Sequence, residues 1–220
     1  MIARGCAAAL AVLLALVVGV VPAGAQGSAP PAPGSTFRDC PQCPEMVVAA
    51  PGSFLLGQAP GQRIAILHRF AYSRDKVSAG DWKHCVLAGQ CSSLGAVGTA
   101  GTAPIVQVSW IDVQQYVQWL TLETGVEYRL LSEAEWEYLA RRPGSLRAEG
   151  LEWVSDCWHA DLAGAPADGS SWDSDGDCRY HVARGHRTGD GAPSVTRRYR
   201  FLFSARDTNL GFRVARTLRD

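Results

Sequence analysis

RLLSEAEWEYLAR, residues 129–141, has the pattern of a short strand running into a capped, amphipathic helix. Ser132 stands three residues before Glu135, the spacing at which a hydroxyl and a carboxylate each satisfy a backbone donor at a helix start. Trp136, Leu139 and Ala140 recur at helical spacing, and Pro143-Gly144 stops the run. Tyr128 to Leu131 ahead of it is short, aromatic and apolar, as a strand is. The same strand-into-helix grammar appears upstream in PIVQVSWIDVQQYVQWL, residues 104–120. There Ile105 to Val108 predicts a strand, Ser109 and Asp112 form the capping pair, and Val113, Tyr116, Val117 and Leu120 make a buried stripe ending at Gly125. Met46-Val47-Val48 and Ser53 to Leu56 flank Pro51-Gly52 and predict a hairpin. The second half of the chain is turn-rich. The expectation is an α+β domain with two main helices, short strands and much irregular structure.

Working outward to the start, Arg4 is the only charge before an apolar run from Ala7 to Val21, which is shorter than the roughly 20 residues a spanning helix needs. Ala23-Gly24-Ala25 offers the small side chains of a signal-peptidase site. Residues 1–25 therefore read as a signal peptide, cleaved before Gln26, of a secreted or periplasmic protein with no membrane span afterwards. Residues 26–36 read as a disordered Pro/Ala/Gly/Ser leader, and 37–220 as one domain. The formal net charge is zero, which argues against nucleic acid as a partner.

Beyond Cys6 in the signal-peptide stretch, the cysteines are Cys40, Cys43, Cys85, Cys91, Cys157 and Cys178. An even count in an exported chain reads as three disulfides, and chain proximity favours 40–43, 85–91 and 157–178 among fifteen pairings. Cys40-Pro-Gln-Cys43 is also compatible with a redox pair or half a zinc site, but no matching second pair accompanies it.

Five blocks in order are similar to the formylglycine-generating enzyme (sulfatase-modifying factor) family: CPEMVVAAPGSFLLG (43–57), PIVQVSWIDVQQYVQWL (104–120), RLLSEAEWEYLAR (129–141), LEWVSDCW (151–158) and NLGFRVAR (209–216). The resemblance implies a C-type-lectin-like fold, often with calcium. It also implies an oxidase that converts a substrate cysteine to formylglycine at a copper ion held by two thiolates, soft ligands that select Cu(I). The family's copper cysteines fall between an Arg-Gly-Gly-Ser block and the last Gly-Phe-Arg strand. Here that stretch, Arg184 to Gly211, contains no cysteine, and His186-Arg187-Thr188 replaces the Gly-Ser turn. The loop that carries the calcium ligands is cut to Arg142–Gly150, which leaves Glu152 as the one surviving carboxylate, against the six to eight oxygens that calcium wants.

The expectation is accordingly an exported domain without the copper chemistry, with no catalytic, cofactor-binding or metal-ligating residue assigned, acting as a binding or accessory module. Its partner is an extracytoplasmic protein, peptide or glycan. An oxidase working through another site is the alternative. The ligand groove is placed at Trp158, Trp172, His186 and Arg187, because these tryptophans lie on irregular loops and the pair His186-Arg187 remodels the family's central turn. Asp173-Ser174-Asp175-Gly176-Asp177 resembles a calcium loop without its closing Glu, and reads as an acidic turn. His159, His181 and His186 lack the spacing of a metal site. Arg197-Arg198-Tyr199-Arg200 reads as a basic strand edge.

Overall fold

The computed structural model describes residues 31–93, 101–146, 149–187 and 189–218; the signal-peptide reading and residues 26–30 of the leader lie outside them. The first half contributes β1 (Thr36–Phe37), β2 (Met46–Ala49), β3 (Gly52–Leu56), β4 (Gln62–Ile66), β5 (Phe70–Ser73), α1 (Ala79–Leu87) and α2 (Trp110–Thr124). The second adds β6 (Arg129–Leu130), α3 (Glu133–Ala140), β7 (Gly150–Trp158), β8 (Asp177–His186), β9 (Arg198–Leu202), β10 (Leu210–Phe212) and β11 (Val214–Thr217). The architecture is mixed α+β.

The three helices among the described residues begin with the same reciprocal cap: Ser78 with Asp81, Ser109 with Asp112, and Ser132 with Glu135. Helix α2 ends at Gly125 in the left-handed region (φ 69°), where glycine carries no Cβ penalty. Helix α1 is absent from the sequence-based expectation, although Ser78-x-x-Asp81 announces it as clearly as the other two caps. Its few apolar positions, Trp82 and Cys85 the buried ones, give little helical periodicity.

The described residues form three sheets: β1-β2-β5-β11-β6, β10-β7-β8-β9 and β3-β4. The expected hairpin across Pro51-Gly52 does not form. β2 pairs with β1 and β5, whereas β3 pairs with β4 in a different sheet. The expected strand at Ile105–Val108 is also absent. Gln107 adopts φ 59°, which breaks the extended run, and the segment is tied instead to Val77 and Asp207. Strand β7 is buried along nearly its whole length because it lies between β10 and β8 with helices and loops on both faces, so it shows no alternation. Gly185 opposes it at φ 123°, and a Cβ there would sit 2.1 Å from the Gly150 carbonyl oxygen.

Two apolar clusters fill the interior. In one, Trp82 stacks on Tyr116 at 5.7 Å with Phe212 edge-on, and Trp153 and Ala183 belong to the same cluster. The other gathers Ile64, Trp136, Leu139, Val154 and Val182 around α3. The three disulfides join Cys40–Cys43, Cys85–Cys91 and Cys157–Cys178. The last of these anchors the long loop between β7 and β8.

Candidate binding site

The site begins with two glutamates that the capping pattern does not explain. Glu133 and Glu137 lie one turn apart on α3, 2% and 0% exposed. A buried carboxylate needs a cation, and β8 and β9 supply it. Arg184, wholly buried, donates to Glu133 at 2.7 Å and to Glu137. Arg198 grips both oxygens of Glu133 at 2.6 and 2.9 Å, and Arg141 meets Glu137 at 2.6 Å. Arg198 also lies 4.7 Å over the Trp158 ring and donates to the His159 carbonyl at 2.9 Å, which fixes the exit of β7. Sequence reading missed this cluster. Its signal is the i, i+4 pair Glu133/Glu137 on a helix whose other residues, the capping Glu135 aside, are apolar or aromatic.

Above this floor lies an open depression of about 490 Å³, lined by Trp158, His159, Trp172, Asp161, Asp175 and Arg200 among others. His159 stacks on Trp172 with ring centroids 3.5 Å apart. The Trp172 wall is tied to α3 through Asp156. That carboxylate accepts the N–H of Glu133 at 2.7 Å and the N–H of Trp172 at 3.0 Å. Burial first, then the charge of Glu133, pushes the Asp156 carboxyl up to about 7, although those hydrogen bonds oppose the shift. His181, stacked at 3.9 Å on Trp110, is held below its ordinary value by burial.

His186 and Arg187, the other half of the expected groove, are not in this depression. They stand at and just beyond the last residue of β8, whereas Trp158 pairs with Asp177 at its first. Arg187 bridges to Asp207 at 2.9 Å and lies 5.8 and 5.5 Å over the rings of Tyr199 and Phe201. Tyr199 donates its O–H to Asp190, and burial followed by that carboxylate raises its pKa. The expected groove is thus two separate places, an aromatic depression and an arginine–aromatic end. The second is the stretch where the resemblance puts copper thiolates, and an arginine stands there over aromatic rings with no cysteine in the segment. The residues present do not fit a dithiolate copper ion.

The position expected for calcium is furnished with cations of the chain itself. Lys76 Nζ donates to the carbonyls of Glu149 at 2.5 Å and Leu151 at 3.2 Å. Arg213 bridges to Glu152 at 3.0 Å, and Trp136 Nε1 donates to the same carboxylate at 3.3 Å. Burial lowers the Lys76 pKa, with the Glu152 charge opposing. Asp173, Asp175 and Asp177 do not converge either: among the described residues no three His, Cys, Asp or Glu side chains are arranged to hold a metal ion. No helix among them is long and apolar enough to cross a membrane.

Fold and site together define a disulfide-stapled α+β domain with a capped, ion-paired helix under an aromatic depression. Residues 33–150, more than half of the chain, match the sulfatase-modifying factor enzyme 1-like domain, and the chain belongs to that family. Among solved structures it is similar to PvdO from Pseudomonas aeruginosa, with 29% identity and a TM-score of 0.73, covering 86% of this chain and 100% of that one. The fold is shared with variable protein 1 of Treponema denticola (18% identity, TM-score 0.61, covering 84% of this chain and 99% of that one). It is shared too with CarF, at 14% identity and a TM-score of 0.60, covering 81% of this chain and all of that one. No curated protein matches the chain significantly.

Proposed function

We propose that this chain is an exported member of the sulfatase-modifying factor family that lacks the copper-dependent oxidation of cysteine and serves as a binding or accessory module. One observation carries the reading: all six cysteines after the leader are paired in disulfides, and the 184–211 stretch supplies none, so no thiolate pair remains for copper. The contact surface in this reading is the Trp158–Trp172 depression, where indole faces and carboxylates offer apolar and polar contacts side by side. Export rests on the sequence of residues 1–25 and agrees with the use of disulfides.

The test is a thiol titration under denaturing conditions with elemental mass spectrometry of the purified protein, plus the intact mass of the secreted form. The expected outcome is a mature chain beginning at Gln26 with no free thiol and no stoichiometric copper. Two free thiols with one equivalent of copper would reverse the assignment.

A further inference from the structure

β9 is the outer strand of the β10-β7-β8-β9 sheet, and among the described residues no strand pairs with its far edge. Phe203 N–H donates to the Arg179 carbonyl, so residues 179 and 203 form a hydrogen-bonded pair. With Tyr180 opposite Leu202 and Val182 opposite Arg200, Tyr199 and Phe201 turn their backbone groups toward β8. Arg198 and Arg200 therefore turn theirs outward. Among the described residues nothing donates to the Arg200 carbonyl or accepts from its N–H; on this edge only the Leu202 carbonyl is taken, by Ala205. An unpaired row of this kind is a template for another strand.

Basic residues on an edge strand can also discourage pairing, but Arg200 is not placed to do so. Its guanidinium is folded down 3.6 Å over the Tyr180 ring and 3.5 Å from Asp177. Arg200 shares a sheet face with Val182 and lines the Trp158–Trp172 depression. A side chain opposite Arg200 on an added strand would stand on the face that carries that depression, beside a guanidinium already paired with Asp177. Alternate residues of the same strand would meet the other face, beside half-buried Phe201 and exposed Phe203. The charge balance around the depression is negative. Arg179 and Arg200 both pair with Asp177, while Asp161, Asp173 and Asp175 have no cationic partner among the described residues.

We infer that the open edge of β9 docks an extended, basic polypeptide segment of a partner protein, which adds a fifth strand to the sheet and inserts a lysine or arginine side chain between Trp158, Trp172 and the unpaired aspartates. This rests on the binding reading above and names its partner. Backbone pairing would supply affinity and the depression would supply selectivity, as in other strand-addition complexes. The cation would meet indole faces and carboxylates together.

The test uses the whole purified protein and fluorescently labelled eight-residue peptides alternating lysine with valine or glutamate with valine, followed by anisotropy. The lysine peptide is expected to bind at least tenfold more tightly than the glutamate peptide. N-methylation of alternate amides should weaken it at least tenfold, because only main-chain pairing needs those N–H groups. Arg200→Pro removes an N–H that no partner uses among the described residues and should abolish binding. Should that variant not fold, the double substitution Asp161→Asn and Asp175→Asn should cut the preference for lysine several-fold. Equal binding of methylated and unmethylated peptides, preference for glutamate, or no binding of either peptide would each overturn the inference. A thiol-free, copper-free protein that ignores these peptides would leave the non-oxidase assignment standing while removing this surface.

Discussion

Asp156 is a buried carboxylate facing another carboxylate, Glu133, and kept in place by two backbone N–H groups. Around it stand Arg184 and Arg198 on the far side of Glu133, Arg129 toward Glu135, and His181, whose ring meets the Asp156 carbonyl at 3.1 Å. With its folded pKa near 7 and the unfolded value near the usual ~3.9, the folded state holds a proton that the unfolded chain has released. Stability from this group therefore rises as pH falls from about 8 to about 5, by on the order of 2 kcal/mol. Asp156→Asn should lower stability at every pH, since its amide turns a donor toward one of those N–H groups, and should flatten the slope. Urea midpoints measured from pH 5 to 8 would check this. Lys76→Met strips the cation from two carbonyls and should destabilise by about 2 kcal/mol in thermal or urea unfolding. In the unmutated protein, calcium and chelator should give the same melting temperature. None of these roles is legible in the sequence. A lone Lys76 or Asp156 carries no pattern, because its partners lie 73 and 23 residues away.

At the scale of the element, α3 is held to β8 by charge as well as by packing. Arg184→Met should cost about 3 kcal/mol, because Glu133 and Glu137 each lose one of two cations and the buried Glu137 Oε2 loses its donor. A chemical-denaturation midpoint reads it directly. Adding Glu137→Leu should recover part of the loss, since replacing a buried pair by apolar groups is far gentler than breaking it. Helices α2 and α3 were legible because a cap and a stripe are local chemistry. The Pro51-Gly52 hairpin was misread for the opposite reason. Both flanking runs are good strands, but strand partnership is decided across the fold: Val47 sits opposite Tyr72, and Phe54 opposite Ile64. The four residues expected to form a groove do not all come together. Trp158 and Trp172 do line a depression, whereas His186 and Arg187 belong elsewhere, since linear order says nothing about which end of β8 faces which loop.

For the whole molecule, the family was readable from five ordered blocks, while the non-local ionic floor and the open β9 edge were not. The Cys157–Cys178 bridge closes a loop of 21 residues' separation, so replacing both cysteines by serine should cost about 3 kcal/mol by the loop-entropy relation and loosen the Trp172 wall. The loss should appear as a lower melting temperature together with altered tryptophan emission. One feature of the large sheet reaches past equilibrium stability. β11, residues 214–217, runs between β5 and β6, so Ala215 meets Tyr72 on one side and Arg129 on the other. A ribosome delivers that strand after its neighbours, leaving the sheet with a gap in its middle until residues 214–217 emerge. The sheet therefore closes only once the last of its strands in chain order has been made, and pairing across so long a separation is the slow part of folding.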